Sequence, residues 1–396
     1  MAKDLKPHIG IFGKRNSGKS SLINALTGQD TAIVSEQAGT TTDPVKKSVE
    51  IFGIGPAIII DTAGIDDIGE LGKKRIAKSR VTISQIDLAI LVFSNNNFDG
   101  HEKDLINSFR RYNIPFLLVH NKCDIIRLSI CLQKVVESNY GMEIIEISTV
   151  ENRNLDKLTE SIISTIPKTS YIKPSLFEGL IKKGNTVLLV TPIDSEAPEG
   201  RMILPQVMAI RDVLDKDSIC IVLKETQLKD YIRNHHDIDL VVTDSQAFGM
   251  VSGIVPENIP LTSFSIIFSR IKAHWEPILQ GTKHISKLQD GDNILILESC
   301  THHVSCEDIG RYKIPKWLSE FTGKDLNFDI VSGLQEFEKK LNNCAMVIQC
   351  GGCVATQKQI QNRLQLAIDK NIAVSNYGMA IAYTTGVFER ATKIFD

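Results

Sequence analysis

The chain has 396 residues, 42% hydrophobic and 23% charged, an ordinary globular composition with room for two or three domains. Its 45 Lys and Arg against 47 Asp and Glu leave a net charge of −2, which excludes a strongly basic chain held to nucleic acid mainly by counterion release. No apolar run reaches the ~18–20 residues that span a bilayer, and Met1 to Pro7 carry no apolar signal region. A cytoplasmic protein with no membrane and no nucleic-acid partner is the expectation. Its eight cysteines are then not expected to pair, so clustered ones point to metal or redox chemistry.

The first strand is predicted over Ile9 to Phe12. Directly after it, Gly13-Lys-Arg-Asn-Ser-Gly18-Lys19-Ser20 fits G-x-x-x-x-G-K-[ST] and opens a helix over Ser20 to Leu26, the context a phosphate-binding loop needs. Its glycines let backbone N–H groups face the phosphates, and the helix N-terminus adds a favourable dipole. Gly13, Asn16, Ser17, Gly18, Lys19, Ser20 and Ser21 are the phosphate-loop candidates. Lys19 supplies the catalytic point charge and Ser20 a hydroxyl for Mg²⁺. Gly39-Thr-Thr-Thr-Asp43 falls where a switch loop belongs, with Thr41 able to close the Mg²⁺ shell. A strand over Ala57 to Ile60 then delivers Asp61-Thr-Ala-Gly64, Asp61 toward Mg²⁺ and the Gly64 N–H toward the γ-phosphate.

Further strands are predicted over Leu88 to Phe93, Pro115 to His120 and Glu143 to Ile147, with a helix over Glu102 to Tyr112. Asn121-Lys122-Cys123-Asp124 follows the second of these. A carboxylate there accepts from guanine N1–H and N2–H₂, donors that adenine lacks, so Asp124 selects GTP. Ser148 and Thr149 sit where a backbone contact to guanine O6 belongs. Asn-Lys-x-Asp or Asp-Thr-Ala-Gly alone is a common accident. All four motifs in this order read as a GTPase domain that binds GTP and GDP. Ile65 stands where a Ras-like glutamine would position water, so intrinsic turnover is expected to be slow, with Glu70 or Asp67 as candidate substitutes.

The stretch from Ile166 to Pro174 reads as a linker. Strands over Val187 to Val190, Ile219 to Leu223 and Asp239 to Val242, with helices over Gln206 to Leu214 and Gln227 to Asn234, make a second α/β unit without a nucleotide loop. After Leu261 to Gln280, strands over Asn293 to Leu297, Phe328 to Val331, Ala345 to Ile348 and Ile372 to Val374 make a third. The fold class is therefore α/β in three units, the first with a mostly parallel sheet. The boundaries fall at 1–168, 175–265 and 266–396.

Cys300-Thr-His302-His303 follows one strand of the third unit and Cys350-Gly-Gly-Cys353 another, both at strand C-terminal ends, where open α/β sheets place ligands. Three thiolates with nearby imidazoles suit either a Cys₃His zinc site or a [4Fe–4S] cluster with one iron on another ligand. His302, His303, Glu307, Asp308, Cys306 or water are the candidates for that fourth position. His101, His235, His236, Trp275 and Trp317 read as surface or core residues.

The GTPase motifs resemble those of the tRNA-modification GTPase MnmE family, whose members are activated by potassium. That resemblance implies a K⁺ ligand at Asn16 and K⁺-stimulated hydrolysis. The combination of a GTPase with Cys-x-His and Cys-x-x-Cys resembles the [FeFe]-hydrogenase maturation GTPase family over essentially the whole chain. The resemblance implies a homodimer built through a middle dimerisation domain and a C-terminal [4Fe–4S] domain ligated by Cys300, Cys350 and Cys353. It further implies a carrier role for a di-iron precursor cluster, two radical-SAM maturases upstream and apo-hydrogenase as recipient. Gln349 departs from that family's pattern, which has His before Cys-x-x-Cys. The competing readings are a ribosome- or tRNA-associated GTPase with a structural zinc module, and a zinc hydrolase in the third unit.

Overall fold

Residues 6–28, 35–37, 45–51, 53–62, 82–172, 174–192, 202–299, 308–333, 335, 337–352 and 355–396 are described by the computed structural model. They divide into two units, Leu5–Lys173 and a second formed mainly by Pro174–Asp396.

The first unit is built on a seven-stranded sheet. Its strands are β1 (His8–Phe12), β2 (Ser35–Gln37), β3 (Val45–Ile51), β4 (Gly55–Asp61), β5 (Leu88–Ser94), β6 (Phe116–Asn121) and β7 (Ile144–Glu146), in the order β2-β3-β4-β1-β5-β6-β7. From β4 to β7 all pairings are parallel, and β2 and β3 add an antiparallel edge. β5 is buried on both faces and reads as a continuous apolar run for that reason. Leu88, Ile90 and Val92 pack with Leu22, Leu158 and Ile162 from helices α1 (Lys19–Gly28) and α4 (Leu155–Thr165). Ala89, Leu91 and Phe93 pack instead with Leu105, Phe109 and Val136 from α2 (Gly100–Arg111) and α3 (Ile130–Tyr140). Period-two alternation thus puts a core on each face of the sheet.

The antiparallel strand β3 was not among the sequence expectations. Its Val-Lys-Lys-Ser-Val-Glu-Ile pattern is that of a half-solvated antiparallel strand, with Val49 buried and Glu50 exposed. The predicted linker is partly built in. Ile166 and Ser170 are buried, and Lys168–Ser170 forms a 3₁₀ turn before the division at Lys173.

The second unit holds two four-stranded sheets, parallel at every pairing. One comprises β8 (Thr186–Val190), β9 (Ile219–Leu223), β10 (Leu240–Thr243) and β11 (Leu261–Ser263), in the order β11-β10-β8-β9. Around it lie α5 (Leu204–Asp215), α6 (Leu228–Asn234) and α7 (Phe248–Ile254). Helices α8 (Phe264–Lys272) and α9 (Trp275–Thr282) lead to the other sheet. That sheet comprises β12 (Asn293–Leu297), β13 (Asn327–Val331), β14 (Met346–Gln349) and β15 (Ala373–Asn376), in the order β13-β12-β14-β15. It carries α10 (Ile314–Thr322), α11 (Gln357–Ile368), α12 (Tyr377–Thr384) and α13 (Phe388–Lys393). One apolar cluster joins Leu188, Val190 and Val241 of the first sheet to Leu297, Val347 and Val374 of the second. At Gly281 a Cβ would collide with the backbone of Val374, so only glycine lets α9 lie this close to β15. No helix among the described residues is long and apolar enough to cross a membrane.

Candidate functional site

The first site forms where the parallel strands of the seven-stranded sheet end. β1 runs into Gly13, which has φ +146° and where a Cβ would sit on the Val92 carbonyl. Gly18 has φ +93°, and a Cβ there would strike the Asn121 side chain. Both positions therefore require glycine, and the loop closes over the start of α1. Lys19 Nζ is held by the carbonyls of Gly13 at 2.8 Å and Lys14 at 2.7 Å. The ammonium is thereby fixed beside the phosphate cradle.

Ser20 Oγ donates to Asp61 Oδ2 at 3.4 Å, so the two Mg²⁺ candidates meet at the opening of α1. Burial raises the Asp61 pKa, against the opposing pull of Lys19 and Ser20. A divalent cation would relieve that penalty. Asn16 is exposed and adopts φ 61°, a left-handed conformation that asparagine tolerates better than most residues. Backbone geometry alone thus gives one reason for asparagine at this position. Ser17 is buried and its hydroxyl donates to Lys14 O at 3.0 Å. Ser21 lies on the exposed side of α1.

The base-reading residues come together at the ends of β6 and β7. Asn121 is fully buried, donating from Nδ2 to Ser17 O at 3.2 Å and accepting from the Thr149 N–H at 3.3 Å. It ties the phosphate loop to the base loop. Lys122 turns the chain with φ 65°, and the exposed Asp124 accepts from Ser148 Oγ at 2.5 Å. Ser148 also takes the Glu151 N–H at 3.2 Å and closes a tight loop with Arg153. Beside the backbone contact expected of it, Ser148 orients the carboxylate through its side chain.

Lys14, Asp99 and Glu102 were not singled out from the sequence. Lys14 Nζ meets Asp99 at 2.5 Å and the buried Glu102 at 3.4 Å, pinning the phosphate loop to the first turn of α2. The hydrogen bond from Lys14, followed by that from His101, lowers the Asp99 pKa to about 2. The legible signal was the capping box of Asp99 and Glu102. Thr41, Gly64, Asp67 and Glu70, and the switch segment Gly39 to Asp43, lie outside the described residues.

The second candidate site lies at the ends of β12 and β14, which pair with Leu297 opposite Gln349. Cys350 follows β14, its N–H bonded to Leu297 O at 2.8 Å. The Ser299 N–H donates to Cys350 Sγ at 3.1 Å, the thiol meets Ser299 Oγ at 3.1 Å, and Gln349 Nε2 approaches Sγ at 3.4 Å. Two N–H donors thus face the sulfur, which itself donates to the Ser299 hydroxyl. Gln349 is buried with its amide nitrogen on Leu297 O at 3.2 Å and Ser299 Oγ at 2.9 Å. Its Oε1 is buried without a hydrogen-bond partner among the described residues. Lys272 Nζ binds the carbonyls of Gly352 and Ala355 at 2.9 and 3.0 Å, bracing the loop that runs on to the Thr356 cap of α11.

On the other side of the cysteine segment, Glu298 is gripped by Arg311 through two bonds of 2.9 and 2.8 Å and by Ser332 at 2.7 Å. Burial alone would raise the Glu298 pKa, but Arg311 and Ser332 outweigh it and hold the carboxyl below its ordinary range. Asp308 caps the π-helical turn Ile309–Lys313 that leads into α10, accepting from the Arg311 N–H at 3.0 Å. Of the metal candidates, Cys350 and Asp308 are described, and Cys300, His302, His303, Cys306, Glu307 and Cys353 lie outside the described residues. Among the described residues, no three His, Cys, Asp or Glu side chains gather as a metal site.

Residues 176–273 match the Hydrogen maturase F dimerization domain and residues 276–394 the Hydrogen maturase F tetramerization domain, together more than half of the chain. The chain belongs to the hydrogen maturase F family. Residues 8–122 of this hydrogen maturase F family member match the 50S ribosome-binding GTPase model, and the first unit is accordingly a GTPase domain. Among curated proteins it is similar to tRNA modification GTPase MnmE of Desulforamulus reducens, 35% identical over 39% of this chain and 34% of that protein. MnmE of Francisella philomiragia is 38% identical over 40% of this chain and 35% of that protein. The chain thus spans about a third of the length of the curated relatives it matches. Among solved structures it is similar to Era of Aquifex aeolicus, with 19% identity, 60% of this chain and 100% of that one covered, and a TM-score of 0.36. The G domain of the T. maritima FeoB iron transporter shares 24% identity over 40% of this chain and 98% of that one, with a TM-score of 0.32.

Proposed function

We propose that the chain is a GTP-hydrolysing scaffold of [FeFe]-hydrogenase maturation. In this reading it holds a [4Fe–4S] cluster through Cys300, Cys350 and Cys353, carries the di-iron precursor as cargo and delivers it to apo-hydrogenase. Two radical-SAM maturases supply the cargo in the cytoplasm. The observation that carries the reading is the pairing of β12 with β14 in a hydrogen maturase F unit, behind a GTPase domain. That pairing ends the segment leading to Cys300 beside the segment leading to Cys350. The sulfur-directed donors of Ser299 and Gln349 fit a thiolate-ligated cluster, which supplies a binding face for the cargo.

In the GTPase unit, Lys19 neutralises charge on the β- and γ-phosphates while Ser20, Asp61 and Thr41 hold Mg²⁺. Water attacks the γ-phosphorus and GDP leaves with phosphate as the second product. Gly64 senses the γ-phosphate, Glu70 is the candidate for positioning water, and Asn16 would hold a K⁺ whose charge would stabilise the transition state. Turnover without that ion is slow. The middle and C-terminal domains divide near residue 265, after the linker that ends the GTPase domain at 168.

A homodimer is supported by the edge strand β9, where Ile219 and Val222 are exposed, and by exposed Val207 and Leu214 on α5. The test is anaerobic purification of the full chain followed by a GTPase assay, iron analysis and a visible spectrum. About four irons per chain with broad visible absorption, together with GTP turnover, are expected. A colourless zinc protein would favour the ribosome-associated reading, which rests on the match of residues 8–122 to the 50S ribosome-binding GTPase family.

A further inference from the structure

Helix α11 brings a charged group against the second site that the ligand assignment does not use. Arg363 is 4% exposed. Its Nη1 donates to Glu298 O at 3.0 Å, and the Phe337 ring lies 5.5 Å from the guanidinium carbon. Nε and Nη2 are buried with no hydrogen-bond partner among the described residues. The adjacent carboxylate does not balance this charge, because both Glu298 oxygens are taken by Arg311. A buried cation with two donors unpaired among the described residues is costly in a finished core. It is what an anion site looks like before its anion is present.

The place of Arg363 identifies the anion. The residue after Glu298 is Ser299, whose N–H meets Cys350 Sγ, and the next residue is Cys300. Arg363 is therefore anchored at the point where the two cysteine segments meet. A guanidinium stays charged at neutral pH, and the carbonyl that anchors it lies one residue before the N–H that meets the Cys350 sulfur. A [4Fe–4S] core of charge +2 on three thiolates carries a net charge of −1, and a one-electron reduction makes it −2.

We propose that Arg363 is the positioning residue of the iron–sulfur site, donating its two idle N–H groups to cluster sulfur and balancing the cluster charge. This rests on the cluster reading above. A cation beside the cluster favours its reduced, more negative form and raises the reduction potential.

The experiment uses the full-length chain reconstituted anaerobically with iron and sulfide, and dithionite as the one-electron donor. Arg363→Gln should keep its iron but shift the reduction equilibrium about tenfold against reduction, which is about 59 mV for a one-electron couple. Arg363→Lys keeps the charge and should stay near the wild-type potential. GTP hydrolysis by both variants should match wild type and reports that the chain is folded. A wild-type potential in fully loaded Arg363→Gln overturns the proposal. Loss of iron from Arg363→Gln with retention in Arg363→Lys supports it, and loss from both with GTPase intact overturns the charge role. Should both variants fail to fold, the wild-type chain labelled with ¹⁵N-arginine decides. Its reduced cluster should show a weak ¹⁵N hyperfine coupling, and absence of that coupling overturns the proposal. A wild-type chain that takes up no iron–sulfur cluster refutes the cluster reading itself, a separate outcome.

Discussion

Base specificity can be tested through two atoms of one carboxylate. Asp124 is exposed at the end of the β6 loop, and Ser148 donates to its Oδ1 at 2.5 Å. The carboxylate is thus held in one orientation while retaining acceptor capacity for guanine N1–H and N2–H₂. Hydrogen bonds to a charged acceptor contribute about 1.5–3 kcal/mol each. Asp124→Asn removes one such bond and turns an NH₂ toward the guanine donors, so about 3–4 kcal/mol is lost. At 1.4 kcal/mol per factor of ten, GTP affinity should fall roughly 140- to 700-fold. Xanthosine triphosphate presents a carbonyl where guanine has its amino group and should bind the variant better than GTP does. Ser148→Ala leaves the charge and removes only the orienting bond, which does not touch the base, so affinity should fall only about two- to tenfold, about 0.5–1.5 kcal/mol, with guanine preference intact. The assay is competition of GTP and xanthosine triphosphate against a fluorescent GDP analogue. Full GTP affinity in Asp124→Asn would refute the assignment. A Ser148→Ala loss as large as that of Asp124→Asn would refute the division of labour between the two residues.

GTP hydrolysis should rise several-fold when K⁺ replaces Na⁺ at constant ionic strength, and Asn16→Gly, which keeps the left-handed backbone but removes the side chain, should flatten the difference; equal wild-type rates in both salts would remove the K⁺ argument. Cys350→Ala, Cys300→Ala and Cys353→Ala should each lose most reconstituted iron by colorimetric analysis, while Cys123→Ala, Cys131→Ala and Cys220→Ala retain it. Val222→Glu on the exposed edge of β9 should halve the mass measured by light scattering if that edge joins two copies; an unchanged mass moves the dimer contact elsewhere. Because the folded Glu298 pKa lies below its ordinary 4.5, its stabilisation is complete above that value and is lost as pH falls through the folded pKa. The urea midpoint should therefore drop less steeply below pH 4.5 in Glu298→Gln than in wild type, and parallel curves would refute the role of the Arg311 pair.

The parallel strands were legible because burial on both faces leaves an unbroken apolar run, as in Leu88 to Phe93 and Met346 to Ile348. The phosphate loop was legible because its glycines answer steric demands that no other residue meets, at Gly13 against Val92 and at Gly18 against Asn121. β3 was not, since a half-solvated antiparallel strand alternates charged with apolar residues and resembles a loop. The Arg363 cluster was illegible for the opposite reason. Gln359, Asn362 and Arg363 are polar residues of the kind a helix turns to solvent, yet all three are buried. Hydropathy assigns such residues to water because periodicity reports only how apolar a face is, not whether a polar face meets solvent or a site.

The two sites share a physical device that explains why the first announced itself and the second did not. In each, parallel strands end in a loop, and a buried cation is held on backbone carbonyls before any anion arrives. Lys19 rests on the carbonyls of Gly13 and Lys14, and Arg363 on that of Glu298. A carbonyl fixes a cation's position without cancelling its charge, whereas a carboxylate would do both. Glu298 makes the contrast within one residue, because its carboxylate neutralises Arg311 while its carbonyl only positions Arg363. A cation already held in place costs little further reorganisation when an anionic ligand binds. In the nucleotide loop the cation lies inside the motif, next to the glycines that define it. In the second site it lies on a helix beyond the cysteine loop, so the spacing of cysteines signals the ligands but not the charge that balances them.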